Sequence, residues 1–152
     1  MISLRRAGPA DAPAVRDLTR AAYAKWVPLI GREPKPMGAD YALAVERHRI
    51  DLLYDDGVLA ALIETIPAPD HLLIENLAVL PAFQGRGHGR TLVAHAEALA
   101  AAAGCALVRL YTNGKFAANV ALYGKLGYRV DREEEFSGGV IVHLSKPVSP
   151  LR

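Results

Sequence analysis

The chain has 152 residues, of which 51% are hydrophobic and 22% are charged. That composition is ordinary for a globular protein and excludes a disordered, collagenous or disulfide-stapled chain. At about 150 residues per domain, the length predicts one domain over residues 1–152. Eighteen basic and sixteen acidic side chains give a net charge of +2, which is too balanced to indicate a nucleic-acid binder. A local phosphate site remains compatible with this balance, because it needs only a few donors.

Cysteine content and hydropathy bear on the cellular compartment. The one cysteine, Cys105, has no partner for an internal disulfide, which fits a reducing compartment. Its place after a helical stretch favours a small buried residue over a reactive thiol. Met1–Arg6 lacks the apolar core of a signal peptide, and no uncharged run reaches the roughly 18 residues that a membrane helix needs. We therefore expect a cytoplasmic protein that does not contact a membrane.

Hydrophobic periodicity and turn residues predict an alternation of strands and helices. In chain order the predicted elements are a strand over Ile2–Arg6, a helix from Asp11 to about Lys25, a helix over Ala39–Arg49, strands over Ile50–Tyr54, Val58–Ile66 and Leu72–Leu80, a helix over Gly87–Ala103, a strand over Ala106–Tyr111, a helix over Ala117–Leu126, and strands over Tyr128–Glu134 and Val140–Ser145. Helices that interleave with strands of one sheet indicate a mixed α/β fold. The final hairpin argues against a purely parallel sheet.

Short polar and glycine-containing segments set the predicted boundaries. Asp11 is a candidate N-cap, and Asp56-Gly57 is a favoured pair for a tight hairpin turn. Gly104 and Gly127 are predicted helix stops, and Ser137-Gly138-Gly139 is the predicted last turn.

Three further features concern packing and irregular structure. The proline-rich segment Trp26–Gly38 predicts an irregular excursion between helices. Glu75 and Asn76 are expected to break their strand near its middle. The buried face of the long helix is predicted from its spacing to comprise Leu92, Ala96, Leu99 and Ala103.

A glycine-rich loop lies between a predicted strand and the long helix. Its sequence is Gln84-Gly85-Arg86-Gly87-His88-Gly89-Arg90. The glycines let the backbone turn tightly and approach a ligand closely. Unpaired amides at the helix start would then point at one spot, where the helix dipole favours an anion such as a pyrophosphate. The glycine spacing matches neither the dinucleotide-binding nor the Walker pattern.

The segment Ala78–Gly89 resembles the signature of the GNAT superfamily of acyl-CoA-dependent N-acetyltransferases. The Q/R-x-x-G-x-G/A element of that family falls on Gln84, Gly87 and Gly89. Asn119–Tyr128 is similar to the second conserved block of the family, which ends in L-Y-x-x-L-G-F/Y, and the order of elements also matches. The resemblance implies a central mixed sheet of six to seven strands, flanked by about four helices and splayed at the cofactor site.

The resemblance also implies acetyl-CoA as cosubstrate and assigns residues to it. Backbone groups of Leu77, Ala78 and Val79 would pair with the pantetheine arm. The amides from Gly85 to Arg90 would hold the pyrophosphate. The cofactor-binding residues implied are Leu77, Ala78, Val79, Gln84, Gly85, Arg86, Gly87, His88, Gly89, Arg90, Thr91 and Asn119. His88 departs from the usual aliphatic residue and would either pack under the helix start or touch a phosphate. The assignment of Asn119 to the cofactor has weaker support from the resemblance, because Phe116 occupies the position where many members have asparagine.

Tyr123 matches the tyrosine that the family places near the acyl thioester. A neutral phenol can donate a hydrogen bond or a proton to the departing thiolate. The alternative is a half-buried tyrosine on an amphipathic helix. Glu75 is the candidate general base for the amine, because a charged residue in a central strand is costly unless it is paired or wet. An ordinary solvent-facing position is the alternative for Glu75.

The acceptor amine does not follow from the sequence, because one fold serves many acceptors. A small-molecule primary amine is the first expectation, and a peptide or protein amine is the second. A non-catalytic CoA-binding regulatory module is the competing class, which the presence of both Tyr123 and Glu75 disfavours. No metal is expected, since the histidines are scattered. Homodimerisation is common in the resembled family.

Overall fold

The computed structural model describes residues 1–136 and 138–149. Its strands are β1 (Ile2–Arg6), β2 (Arg49–Asp55), β3 (Val58–Pro67), β4 (His71–Val79), β5 (Leu107–Asn113), β6 (Arg129–Phe136) and β7 (Gly139–Pro147). Its α-helices are α1 (Ala12–Tyr23), the single turn α2 (Val27–Ile30), α3 (Tyr41–Arg47), α4 (His88–Ala102) and α5 (Ala117–Lys125). Short 3₁₀ turns cover Pro9–Asp11, Ala24–Trp26, Lys35–Gly38 and Pro81–Phe83.

All strands belong to one seven-stranded sheet in the order β1-β2-β3-β4-β5-β7-β6. β4 and β5 are parallel, whereas the pairs β1/β2, β2/β3, β5/β7 and β6/β7 are antiparallel. The mixed α/β fold class is therefore confirmed. The hairpin at Asp56-Gly57 is also confirmed, since both residues have positive φ, 49° and 82°, as its tight turn requires.

The chain divides into two compact units, Met1–Ile66 with Asn76–Ala94, and Pro67–Glu75 with His95–Arg152. In the first unit, α1 and α3 bury an apolar stripe against the sheet. That stripe and the strand residues under it form one core, whose largest members are Val15, Leu18, Tyr41, Val45, Ile50, Leu52 and Leu62. Apolar side chains at three- and four-residue spacing on α1 explain why that helix packs there.

The prediction that Asp11 caps α1 with its side chain is wrong. Its carboxylate instead accepts a hydrogen bond from the Gly8 amide at 2.8 Å and pairs with the Arg5 guanidinium at 2.8 Å. These two interactions, the Arg5 contact first, lower the pKa of Asp11 to about 2. The helix α3 is shorter than predicted. It begins after Asp40, whose carboxylate accepts a hydrogen bond from the Leu43 amide at 3.1 Å. It ends before Arg49, the first residue of β2.

α4 ends as predicted, but its buried face differs from the prediction. The Cys105 amide donates to Ala100 O at 2.9 Å while Gly104 has φ 78°, the geometry of a glycine-terminated helix. The buried residues of α4 are His88, Leu92, Val93, Ala96 and Ala100, whereas Leu99 is half-buried and Ala103 is exposed. Cys105 is buried, as expected for a small core residue.

α5 closes with the same geometry, because Gly127 has φ 95° and the Tyr128 amide donates to Tyr123 O at 3.0 Å. β6 follows at one edge of the sheet, and all of its residues are exposed. In the predicted last turn, Ser137 lies outside the described residues. Trp26–Gly38 contains only short helical turns, in line with the predicted excursion.

Candidate functional site

The glycine-rich loop joins the Pro81–Phe83 turn to α4 and has a fixed backbone geometry. Gly85 and Gly87 have φ of 82° and 81°, a left-handed conformation that disfavours side chains. The Thr91 amide and hydroxyl both donate to Gly87 O, at 3.0 and 3.1 Å. The loop is therefore tied to the first turn of α4 by way of Gly87.

Among the described residues, five backbone amides of this loop have no backbone acceptor. They belong to Gly85, Gly87, His88, Gly89 and Arg90, whereas the Arg86 amide closes the turn at Gln84-Gly85, and the first bonded amide after them is that of Thr91. Helix starts leave such donors unpaired, and the helix dipole adds positive potential there. Within this loop, Gly85 and residues 87–90 thus offer a row of donors suited to the oxygens of a pyrophosphate.

The side chains of the loop are largely committed to protein partners. Arg86 Nη1 lies 3.1 Å from Asp55 Oδ2, and its guanidinium stacks 4.9 Å from the Phe83 ring centroid. His88 is buried, with its Nε2 2.9 Å from the same Asp55 oxygen. Only the backbone amide of His88 is therefore available to a phosphate, while Arg90 remains exposed.

The strand β4 pairs with β5 over only part of its length. Its parallel pairing with β5 covers His71–Ile74 and ends at the Ile74–Leu110 pair. β4 is nonetheless continuous to Val79, so the predicted break at Glu75 and Asn76 is wrong. The pairing of β4 with β5 therefore covers only the first half of β4.

The backbone carbonyls beyond that point are covered by side chains. The Leu80 amide donates to Ala60 O on β3 at 2.9 Å. Because backbone groups alternate in direction along a strand, Leu77 and Val79 turn their carbonyls away from β3. Leu77 O accepts the Tyr23 hydroxyl at 3.3 Å, and Val79 O accepts Gln84 Nε2 at 3.2 Å.

Asn76 is the centre of a buried hydrogen-bond network. Its Nδ2 donates to Thr19 Oγ1 at 3.2 Å and to the Tyr41 hydroxyl at 3.3 Å. Its Oδ1 accepts the Tyr23 hydroxyl at 3.0 Å. Tyr41 in turn donates to Pro36 O at 2.7 Å. A buried amide is tolerated when its polar atoms are satisfied, and this one ties the irregular Pro36 segment to β4.

Tyr123 lies on α5 and is 6% exposed. Its ring meets the Tyr128 ring edge-on, at 5.7 Å between centroids. Burial raises the pKa of the Tyr123 phenol well above its usual value, so the hydroxyl is neutral at pH 7. Within residues 1–136 and 138–149 this hydroxyl makes no hydrogen bond, whereas the Tyr128 hydroxyl donates to Glu97 Oε2 at 2.9 Å. Tyr123 thus holds an uncommitted proton donor.

Glu75 is half-buried on β4, and its Oε1 accepts the Tyr111 hydroxyl at 3.3 Å. The burial pattern alternates along β4, which places Glu75 and Asn76 on opposite faces. Tyr111 packs against His143 at 5.9 Å between ring centroids, and His143 Nε2 lies 2.7 Å from Glu134 Oε1. Asn119 is half-buried on α5, one turn before Tyr123.

The model of the acetyltransferase (GNAT) family matches residues 13–128. The chain belongs to the GNAT family. As a member it is an acyl-CoA-dependent N-acyltransferase, and the fold of known structures agrees with that assignment. No curated protein sequence matches the chain.

Three solved structures illustrate the likeness of this GNAT chain in fold. The ribosomal-protein-S18-alanine N-acetyltransferase of Escherichia coli has a TM-score of 0.81 at 23% identity, with 100% of this chain and 97% of that one covered. The PaiA N-acetyltransferase of Thermoplasma acidophilum, solved with coenzyme A, has a TM-score of 0.81 at 17% identity, covering 97% and 99%. An Elizabethkingia anophelis GNAT acetyltransferase with acetyl-CoA bound has a TM-score of 0.74 at 16% identity, covering 97% and 98%.

Two further features of this GNAT chain concern metal binding and membrane helices. The described ranges contain no group of three or more His, Cys, Asp or Glu side chains able to hold a metal ion. Within the same ranges, no helix is both long and apolar enough to cross a bilayer.

Sequence reasoning missed Asp55 at the candidate site. Asp55 reaches the loop from a distant part of the chain, and no local pattern marks it. Tyr23 lies in the segment from which the sequence predicts contacts to the acceptor, but its bond to Leu77 O on β4 was not predicted. Asn76 is marked in the sequence, because a polar residue in an apolar strand needs hydrogen-bond partners when it is buried.

Proposed function

We propose that this GNAT chain transfers an acetyl group from acetyl-CoA to a primary amine by direct attack, with no acyl-enzyme intermediate. The observation that carries the proposal is the row of unpaired backbone amides at Gly85 and at residues 87–90, at the start of α4. Coenzyme A presents a pyrophosphate, which such a row can bind without a metal ion. Two relatives in fold were solved with coenzyme A or acetyl-CoA.

The edge of β4 would hold the pantetheine arm. This arm carries amide groups, and an open strand edge pairs with amides as it does with an added strand. The carbonyls of Leu77 and Val79 are now covered by Tyr23 and Gln84, through bonds of 3.3 and 3.2 Å. Both bonds are long for hydrogen bonds, so we propose that the two side chains yield to the cofactor.

The Tyr23→Phe variant tests that displacement. It removes the hydroxyl that competes for Leu77 O, and we expect coenzyme A to bind about 2- to 10-fold more tightly, the worth of one net hydrogen bond. Isothermal titration calorimetry with coenzyme A measures the change.

Tyr41→Phe is the matched control, because it removes another hydroxyl from the same Asn76 network without exposing Leu77 O. Tighter binding in Tyr23→Phe alone supports displacement. Equal affinities, or weaker binding in Tyr23→Phe, would show that Tyr23 does not compete with the cofactor.

Tyr123 and Glu75 would carry the proton transfers. The neutral amine nitrogen attacks the thioester carbonyl carbon, and the C–S bond breaks as the tetrahedral adduct collapses. The departing sulfur keeps the electron pair and receives a hydrogen bond or a proton from the Tyr123 hydroxyl, and solvent returns any proton that the phenol gives up. Glu75 accepts the proton that the amine loses, directly or through water. The pKa of the phenol is above that of an ordinary thiol, so the hydroxyl is protonated at neutral pH and available to the sulfur.

We propose a small-molecule primary amine as the acceptor. An amine is a cation at pH 7, and the half-buried Glu75 carboxylate is suited to meet it. Peptide α-amines are the second class of acceptor to be tested, because one relative in fold acts on the alanine of ribosomal protein S18.

A thermal-shift experiment with acetyl-CoA, coenzyme A and NAD, each near millimolar, tests the cofactor. A ligand at 100 times its Kd stabilises the protein by about 2.7 kcal/mol. We expect a raised midpoint with acetyl-CoA and coenzyme A only, followed by thiol release when the correct amine is added. Stabilisation by none of the three would contradict the proposal.

A further inference from the structure

Asp55 links the end of β2 to the glycine-rich loop. It is the last residue of β2, immediately before the Asp56-Gly57 turn. One of its oxygens, Oδ2, lies 2.9 Å from His88 Nε2 and 3.1 Å from Arg86 Nη1. These two partners are the residues on either side of Gly87. A single carboxylate therefore holds both flanks of a glycine with φ 81°.

The Asp55–His88 contact is well defined. His88 is buried and is the first residue of α4, and its ring lies 6.3 Å from that of Phe83. An ionised carboxylate only accepts hydrogen bonds, so His88 Nε2 must carry the proton. The His88 contact first, and Arg86 second, hold the pKa of Asp55 below its usual value. The carboxylate is therefore ionised at neutral pH.

We propose that Asp55 is a positioning residue for the phosphate loop: by holding Arg86 and His88, it keeps the unpaired amides of this loop aimed at one pyrophosphate. The inference rests on the proposed function, because it assumes that these amides bind the cofactor. In this role Asp55 acts through Arg86 and His88.

Two physical arguments support this role. A loop with glycines at 85, 87 and 89 loses much conformational freedom on ordering, and binding is tighter when that ordering precedes the ligand. In addition, a carboxylate near an anion site is unfavourable by charge alone. A negative side chain at this place is consistent with a geometric role and not with direct attraction of the ligand.

The two arguments give opposite signs for the Asp55→Asn variant. If Asp55 acted only through its charge, removal of the charge would tighten coenzyme A binding. If Asp55 positions the loop, weaker hydrogen bonds to His88 and Arg86 raise the Kd for coenzyme A, by about tenfold for roughly one charged hydrogen bond. The KM for acetyl-CoA should rise in parallel, while kcat at saturation changes less than about twofold, because bound cofactor restores the loop.

Asp56→Asn is the matched control. It changes the net charge equally at the neighbouring position, but the Asp56 carboxylate pairs with the Met1 ammonium and not with the loop. Asparagine is also suited to the positive φ of that position, 49°. We expect its Kd for coenzyme A to equal that of the wild type.

Calorimetry on the three proteins decides the matter. A raised Kd in Asp55→Asn alone supports the inference, and an unchanged or lowered Kd overturns it. If the wild type itself does not bind coenzyme A, the proposed function fails, and the inference with it.

A second pair of variants keeps the inference testable if Asp55→Asn does not fold. His88→Gln keeps an N–H donor for Asp55, whereas His88→Leu fills similar space without one. We expect coenzyme A affinity near that of the wild type in His88→Gln and several-fold weaker in His88→Leu. Equal affinities in the two variants would overturn the role of the Asp55–His88 bond.

Discussion

Replacing Tyr123 with phenylalanine is expected to lower kcat by about 10²- to 10⁴-fold, the usual contribution of a general acid. The affinity for coenzyme A should stay within about twofold, because no cofactor group bound to the loop depends on the hydroxyl. The physical reason is the buried, neutral phenol, whose hydroxyl has no hydrogen-bond acceptor within the described ranges. In the proposed reaction, removing the hydroxyl leaves the departing sulfur without its hydrogen-bond and proton donor.

Steady-state kinetics of thiol release and calorimetry with coenzyme A together measure this effect. Tyr128→Phe is the matched control, because its hydroxyl is bound to Glu97 at 2.9 Å and its ring packs beside Tyr123. An unchanged kcat in Tyr123→Phe would exclude the general-acid role. A wild type that binds coenzyme A but turns over no amine would indicate the non-catalytic CoA-binding module instead.

Replacing Gly87 with glutamate is expected to abolish acetyl-CoA binding while the fold is kept. Gly87 has φ 81°, where an L side chain is strained by about 1–2 kcal/mol. The space around its Cβ position is open, so the new side chain fits without disturbing the core. Its carboxylate, however, lies in the middle of the anion site and repels the pyrophosphate. We expect the Kd to rise by about 100-fold or more, from strain and repulsion together.

Calorimetry measures the loss, and circular dichroism checks the fold. Gly104→Glu is the control at the other end of α4, since Gly104 has φ 78° and equally open surroundings. It should lower the melting temperature by a similar amount and leave coenzyme A binding intact. Tight binding in Gly87→Glu would show that the loop is not the pyrophosphate site.

The order and type of the elements could be predicted because local signals agree with the fold. The hairpin at Asp56-Gly57 and the helix stops at Gly104 and Gly127 depend on φ angles that glycine and aspartate tolerate. The loop at Gln84–Arg90 was recognisable for the same reason. Such signals lie within a few residues of the feature that they specify.

Other features depend on partners distant in sequence and could not be predicted. The strand β4 continues through Asn76 because Thr19, Tyr23 and Tyr41 satisfy its amide. His88 can be buried because Asp55, 33 residues away in the sequence, accepts a hydrogen bond from its ring. The buried face of α4 was misjudged at Leu99 and Ala103, since a helix with alanine on every side gives periodicity little to distinguish.

The exposed strand β6 has a consequence for association between molecules. Its place at the edge of the sheet leaves one row of backbone donors and acceptors unpaired by any neighbouring strand. Glu133 and Glu135 lie on one face of this edge strand and Glu134 on the other. A chain that added itself there would have to strip water from carboxylates on both faces, at a cost that opposes the gain from new hydrogen bonds. The glutamates thus protect this edge of the sheet against growth by aggregation.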